Sequence, residues 1–144
     1  MNEKEIQFFT EDITYQIKGK GILRRGISQL ATDKKYLLGP VNIIFCSDKF
    51  LKEYNKTYLG HNYFTDVISF DLSDDPELIT GDIYISLDRV RENSKVYNVP
   101  LKTEIARVII HGILHLTGME DSTELEKEGM RKEENKYLSL IIKN

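Results

Sequence analysis

Apolar positions along the chain recur in two rhythms. In "GILRRGISQLATDKK" the residues Ile22, Leu23, Ile27 and Leu30 fall at helical spacing. "SDKFLKEYNKTYL" repeats the rhythm with Phe50, Leu51 and Tyr54, behind Ser47 or Asp48 as the capping residue. "LDRVRENSKVYN" predicts a third helix with Leu87, Val90 and Val96 inward. Pro100, suited to a first helical turn, opens a fourth through "LKTEIARVIIHGILHLT" to Gly118. The last helix begins near Ser122 and carries Leu125, Met130, Tyr137, Leu138 and Ile141. Between these, β-branched and alternating runs predict strands at "EIQFFTED", "TYQIKG", "VNIIFC", "DVISFDL" and "GDIYISL", the last two separated by the polar loop "SDDPELIT". Strands early and central, with helices flanking and following, predict an α+β fold, a single layered domain over residues 1–144 around a mixed sheet. No repeat, low-complexity tract or Pro/Gly-rich linker marks a second domain.

Composition narrows the class. A chain of 144 residues, 40% hydrophobic and 30% charged, can bury a core without disulfide or metal staples and is not disordered. The apolar run "VIIHGILHL" is too short to cross a bilayer, and "MNEKEIQFFTED" lacks the basic and apolar regions of a leader. The expectation is a cytoplasmic protein with no membrane partner. Cys46, the single cysteine, reads as a buried strand residue in a reducing compartment rather than a nucleophile.

The net charge of −3 excludes a whole-surface nucleic-acid binder, but the charge is unevenly spread. Between Ile13 and Thr32 there is no acid, while Lys18, Lys20, Arg24 and Arg25 all fall there. Such a patch can bind a polyanion such as RNA, although a solvated helix face and loop is the plainer account of those four residues alone. Residues 120–134 carry seven acids against three bases.

The candidate chemistry lies in "VIIHGILHLTGMED", residues 108–121. Residues four apart on a helix have Cβ atoms about 5–6 Å apart, so His111 and His115 can converge on one cation. Ile105, Val108, Ile109, Ile113 and Leu116 make that helix a buried one, and buried imidazoles without partners cost stability. A shared metal would satisfy both, the alternative being two neutral core histidines bonded to carbonyls. Gly118 suits a left-handed helix terminator that turns the chain back, bringing Glu120 and Asp121 into range as a third ligand. Asp121 is also a candidate helix cap, but Thr123 and Glu126 form their own capping box and would free it. The general-base glutamate of zinc peptidases is replaced by Gly112. A mid-helix glycine costs about 1 kcal/mol against alanine, which predicts close approach there by substrate or backbone.

"HGILHLTGMED" resembles the H-G-x-L-H-L-x-G-x-D-H signature of the YbeY family, metal-dependent endoribonucleases and ribosomal RNA maturation factors. "YNKTYLGHNYFTDVISF" is similar to that family's N-x-x-Y-R-x-x-x-x-P-T-D-V-L-S-F segment, and "GDIYIS" to its next strand. The ordered resemblance covers about residues 51–130 and is weaker over the first 40. It implies a mixed-sheet α+β fold whose cleft holds one metal, usually zinc. It also implies cleavage of single-stranded RNA in 16S ribosomal RNA end processing and in ribosome quality control. The implied partners are ribosomal RNA and the small ribosomal subunit, with a ribosomal or GTPase protein as a candidate.

The resemblance places the first two ligands on His111 and His115 and the third on Asp121, where the family has histidine. Aspartate is an acceptable zinc ligand. The family's cleft arginine falls on Leu59, which cannot grip a phosphate, and its proline on Phe64. Arg107, one turn before His111, is the candidate catalytic substitute, its alternative being an ion pair with Glu104 or another acid. Thr65, Asp66 and Ser69 are expected to shape the cleft or cap the strand start, and His61 to lie in an exposed loop. A non-catalytic assembly factor with a structural metal is the alternative function. A metallopeptidase or other small-molecule hydrolase is disfavoured by Gly112.

Overall fold

The computed structural model describes residues 5–61 and 64–142. Strands β1 (Ile6–Thr10), β2 (Leu37–Cys46), β3 (Val67–Asp71) and β4 (Leu78–Ser86) form one sheet in the order β1-β2-β4-β3. The first three in that order are parallel, and β3 pairs antiparallel with β4 at the edge. The helices are α1 (Lys20–Asp33), α2 (Asp48–Leu59), α3 (Leu87–Val96), α4 (Leu101–Leu116) and α5 (Glu124–Ile141). This is the mixed α+β architecture that the strand and helix rhythms predict.

Alternation along each strand gives the sheet two faces. Ile6, Val41, Ile43, Phe45, Ile79, Ile83 and Ile85 point into the main core with residues of α1, α4 and α5. On the opposite face, Cys46 and Ile68 pack with Leu51, flanked by Phe50, Phe70 and Tyr84. Cys46 is buried as expected, and burial pushes its thiol up to about 12, so it stays protonated. Helix α4 is apolar nearly all round, so it needs cover on every side. It has β3 and β4 on one flank and α1, α3 and α5 around the rest.

Several local expectations are corrected. "TYQIKG" is not a strand: residues 14–19 carry no regular structure, and Tyr15 and Ile17 dip from a loop into the core, Tyr15 edge-on to Phe45 with centroids 5.3 Å apart. The alternation there reflects loop anchoring. Ile22, Val96 and Leu125 are exposed, because each lies in a terminal turn where the apolar stripe has outrun what it packs on. Pro100 is the N-cap of α4 rather than part of its first turn. "VNIIFC" is the end of a longer strand whose Gly39 and Pro40 sit at a register shift, where the missing proline N–H disturbs the ladder least. Ser47, not Asp48, caps α2, accepting the Phe50 N–H at 3.0 Å. No helix among the described residues is long and apolar enough to cross a membrane.

Candidate metal centre

From Glu104 to Leu116 every residue of α4 is buried except Arg107, His111 and His115. These are spaced four apart, so the helix presents one polar stripe in an otherwise packed surface. Its position depends on Gly112. A Cβ there would lie 2.8 Å from Ile83 Cγ2 and 3.1 Å from Ser69 Oγ. The close approach is therefore made by side chains of the sheet, not by substrate or backbone. Ser69 uses the gap to donate a hydrogen bond to the Gly112 carbonyl at 3.1 Å.

The end of α4 is a Schellman turn. Gly118, at φ 90°, donates to the His115 carbonyl at 2.9 Å, and Met119 donates to the Leu114 carbonyl at 3.2 Å. The turn satisfies the last carbonyls and swings the Met119 carbonyl to within 2.9 Å of His115 Nδ1. It also returns the chain so that Asp121 faces the histidines. Asp121 does not cap α5, which begins at Glu124 rather than Ser122 and has Thr123 as N-cap in a complete capping box with Glu126.

His111 Nδ1 lies 2.7 Å from Glu134 Oε2, a buried carboxylate of α5. Each imidazole thus has an acceptor at Nδ1, and the neutral tautomer that uses it carries its proton there. The two Nε2 atoms then face each other at 3.0 Å, with Asp121 Oδ2 at 3.3 Å from His111 Nε2 and 3.5 Å from His115 Nε2. In that tautomer the two imidazole lone pairs and the carboxylate oxygen converge on one point. Ligand atoms at Zn–N distances of about 2.0–2.1 Å and tetrahedral angles lie about 3.3–3.4 Å apart. The donor set therefore fits a divalent cation in both chemistry and spacing. Burial disfavours the imidazolium of His111, but the Glu134 hydrogen bond and the charges of Glu134, Asp121 and Asp66 outweigh it and raise its pKa. The constellation attracts positive charge. Side-chain exposures of 22% for His111, 30% for His115 and 39% for Asp121 leave one side open to solvent.

Beside the cluster is a cavity of about 300 Å³, lined among others by Asp66, Glu104, Arg107, Lys127, Arg131 and Glu134. Arg107 does make the acid contacts that were its alternative. Its guanidinium donates to Glu134 Oε1 at 3.2 Å and to Asn135 Oδ1 at 3.1 Å, and its Nε is 3.8 Å from Glu104 Oε1. It also borders the cavity. Glu134 therefore serves Arg107 with one oxygen and His111 with the other. Burial raises the carboxyls of Glu104 and Asp66 above the usual range.

The remaining expected residues are scattered. Asp66 lines the cavity and accepts from Asn93 at 3.3 Å. Thr65 holds its own turn, its hydroxyl 3.5 Å from the Val67 carbonyl. Leu59, Phe64 and His61 are exposed and outside the cavity lining. Lys18, Lys20, Arg24 and Arg25 are also outside it. Glu134, Asn93, Lys127 and Arg131 were not singled out by sequence. For Glu134 a signal existed: it falls on the inward stripe of Met130, Tyr137, Leu138 and Ile141, where an acid needs a reason.

The sequence profile described as Endoribonuclease YbeY matches residues 2–141. The chain is 44% identical over 140 residues to Endoribonuclease YbeY of Cytophaga hutchinsonii, covering 97% of this chain and 98% of that protein. It is 41% identical over 138 residues to Endoribonuclease YbeY of Amoebophilus asiaticus, covering 96% and 94%. The solution structure of a Thermotoga maritima protein superposes with a TM-score of 0.66 at 27% identity, covering 94% of this chain and 88% of that one. With a family profile spanning almost its whole length and relatives above 40% identity, this chain belongs to the Endoribonuclease YbeY family.

Proposed function

We propose that this protein is a zinc-dependent endoribonuclease that cuts single-stranded RNA during maturation of small-subunit ribosomal RNA, in the cytoplasm. The observation that carries the reading is the convergence of His111 Nε2, His115 Nε2 and Asp121 Oδ2 within 3.5 Å of one another. Two imidazoles and a carboxylate are a zinc donor set, and three protein ligands with an open side are the pattern of a catalytic rather than a structural site. Among the described residues no fourth ligand joins the cluster, which favours the enzyme over an assembly factor with a closed metal site. Bound there, a divalent ion supplies Lewis acidity for charge building up on a phosphodiester, beside a cavity whose own lining has four acids and three bases.

The chain's own residues prepare the site. Glu134 fixes the His111 tautomer and ring orientation, and the Met119 carbonyl does the same for His115. Arg107, held by Glu134 and Asn135, offers its remaining N–H groups to a phosphate at the cavity. Ribosomal RNA of the small subunit, with a ribosomal or GTPase protein at hand, is the proposed working context.

The test is cleavage of single-stranded against duplex RNA by metal-loaded and chelated protein. Cleavage of the single strand only, lost on chelation and reduced in Arg107→Ala with metal content intact, supports the proposal. Small-subunit binding without any metal-dependent cleavage would instead support the assembly-factor reading.

A further inference from the structure

Helix α5 sorts its charge by face in a way its composition hides. Residues 120–134 carry seven acids and three bases, yet several of those acids are committed elsewhere. Glu126 is taken up by the capping box, its Oε1 accepting the Ser122 and Thr123 N–H groups at 3.1 and 3.0 Å. Glu133 pairs with Lys34 of α1 at 2.7 Å. Glu134 is buried beneath His111 and Arg107. Lys127 and Arg131 remain on the cavity side, four residues apart and therefore on one face.

Both cations are exposed and loosely held. Lys127 Nζ is 3.8 Å from Glu124, whose side chain is itself 91% exposed. Arg131 Nε is 3.9 Å from Glu134 Oε1, an oxygen already accepting from Arg107. Both contacts exceed hydrogen-bond distance. The cationic patch suggested by composition is placed differently. Arg24 donates to the Ile6 carbonyl at 3.1 Å and lies over Phe8 with Lys20. Arg25 borders Lys102 and Leu140, at the opposite end of the α4–α5 pair from His115 and Asp121.

We propose that Lys127 and Arg131 grip the RNA backbone, so that a single strand approaches the histidine cluster along this face of α5 with neighbouring phosphates on the two cations. The inference deepens the endoribonuclease reading and rests on it. Four residues of helix advance about 6 Å along the axis, a step comparable to that between neighbouring phosphates of a single strand. Lysine contributes a mobile point charge and arginine a planar fork that can hold a phosphate by two bonds.

A short fluorescent single-stranded DNA, with the same phosphates but no 2′-hydroxyl for cleavage chemistry, measures the grip by anisotropy against salt concentration on metal-loaded protein. Neutralising both cations in Lys127→Ala/Arg131→Ala should reduce the slope of log K against log salt by about 1.4, two contacts at about 0.7 each. Metal stoichiometry and melting temperature should not change, and Lys127→Arg/Arg131→Lys should keep the slope. An unchanged slope in the double alanine variant, or an equal loss on Lys18→Ala/Arg25→Ala, overturns the proposal. If the double alanine variant shows that reduction in slope but the parent leaves RNA uncut, the grip stands and the endoribonuclease reading falls.

Discussion

Glu134 and His111 meet at 2.7 Å, carboxylate oxygen to Nδ1, and this contact joins the ligand stripe of α4 to the inward face of α5. The other oxygen of the same carboxylate accepts from Arg107 at 3.2 Å. One buried acid thus sets both the imidazole that faces the cluster and the guanidinium that borders the cavity.

Glu134→Gln keeps an oxygen that can accept from His111 but removes the charge. Metal affinity should fall on the order of 10-fold, and on the order of 100-fold for Glu134→Ala, which also loses the hydrogen bond. Competition with a chromogenic chelator measures both. Equal affinity in all three proteins would show that Glu134 only fills space.

Asp121→Asn should weaken metal binding while leaving the metal-free protein as stable as its parent at a pH where His111 is neutral, because Thr123 and Glu126 already hold the start of α5. Thr123→Ala should do the reverse, costing about 1 kcal/mol of stability with metal affinity kept. Chemical denaturation of the metal-free proteins alongside chelator competition separates the two roles. A loss of apo stability in Asp121→Asn would make that residue a structural one.

Gly112→Ala gains about 1 kcal/mol of helix propensity but drives a methyl into Ile83 and Ser69, where overpacking costs about 1–3 kcal/mol. A net loss of about 1 kcal/mol is expected, with weaker metal binding as α4 is pushed off the sheet. A stabilised variant would mean that the helix moves freely there.

The polar stripe of α4 is legible in sequence because its apolar surroundings are nearly complete: when most helical neighbours of His111 and His115 are core residues, two imidazoles four apart have few alternative explanations. The Thr123 and Glu126 box and the Gly118 turn were legible for the same local reason, each being written within a few residues. Glu134 is legible only as an acid on an inward stripe; what it holds is not, because its partners Arg107 and His111 are 27 and 23 residues away. The cations of α5 were hidden by the same averaging, since a summed charge does not register which side of a helix each residue occupies. "TYQIKG" misled because alternation reports burial on one side, which a loop lying against a core produces as well as a strand does.

Burial holds Glu104 above the usual carboxylate range, with Arg107 opposing it. The folded chain therefore keeps a proton that the unfolded chain has already released, and stability falls as pH rises from the ordinary glutamate pKa through the raised folded one. In metal-free protein, Glu104→Gln should gain on its parent across that window as pH rises, read from denaturation midpoints. Parallel curves would contradict the assignment.

The most direct test follows bound metal and single-stranded RNA cleavage in the same sample as divalent metal is titrated into chelated protein. Cleavage should rise with occupancy and saturate at one ion per chain, and His115→Ala should neither retain metal nor cut while keeping its fold by circular dichroism. Cleavage by the metal-free chain, or full metal uptake by His115→Ala, would contradict the account.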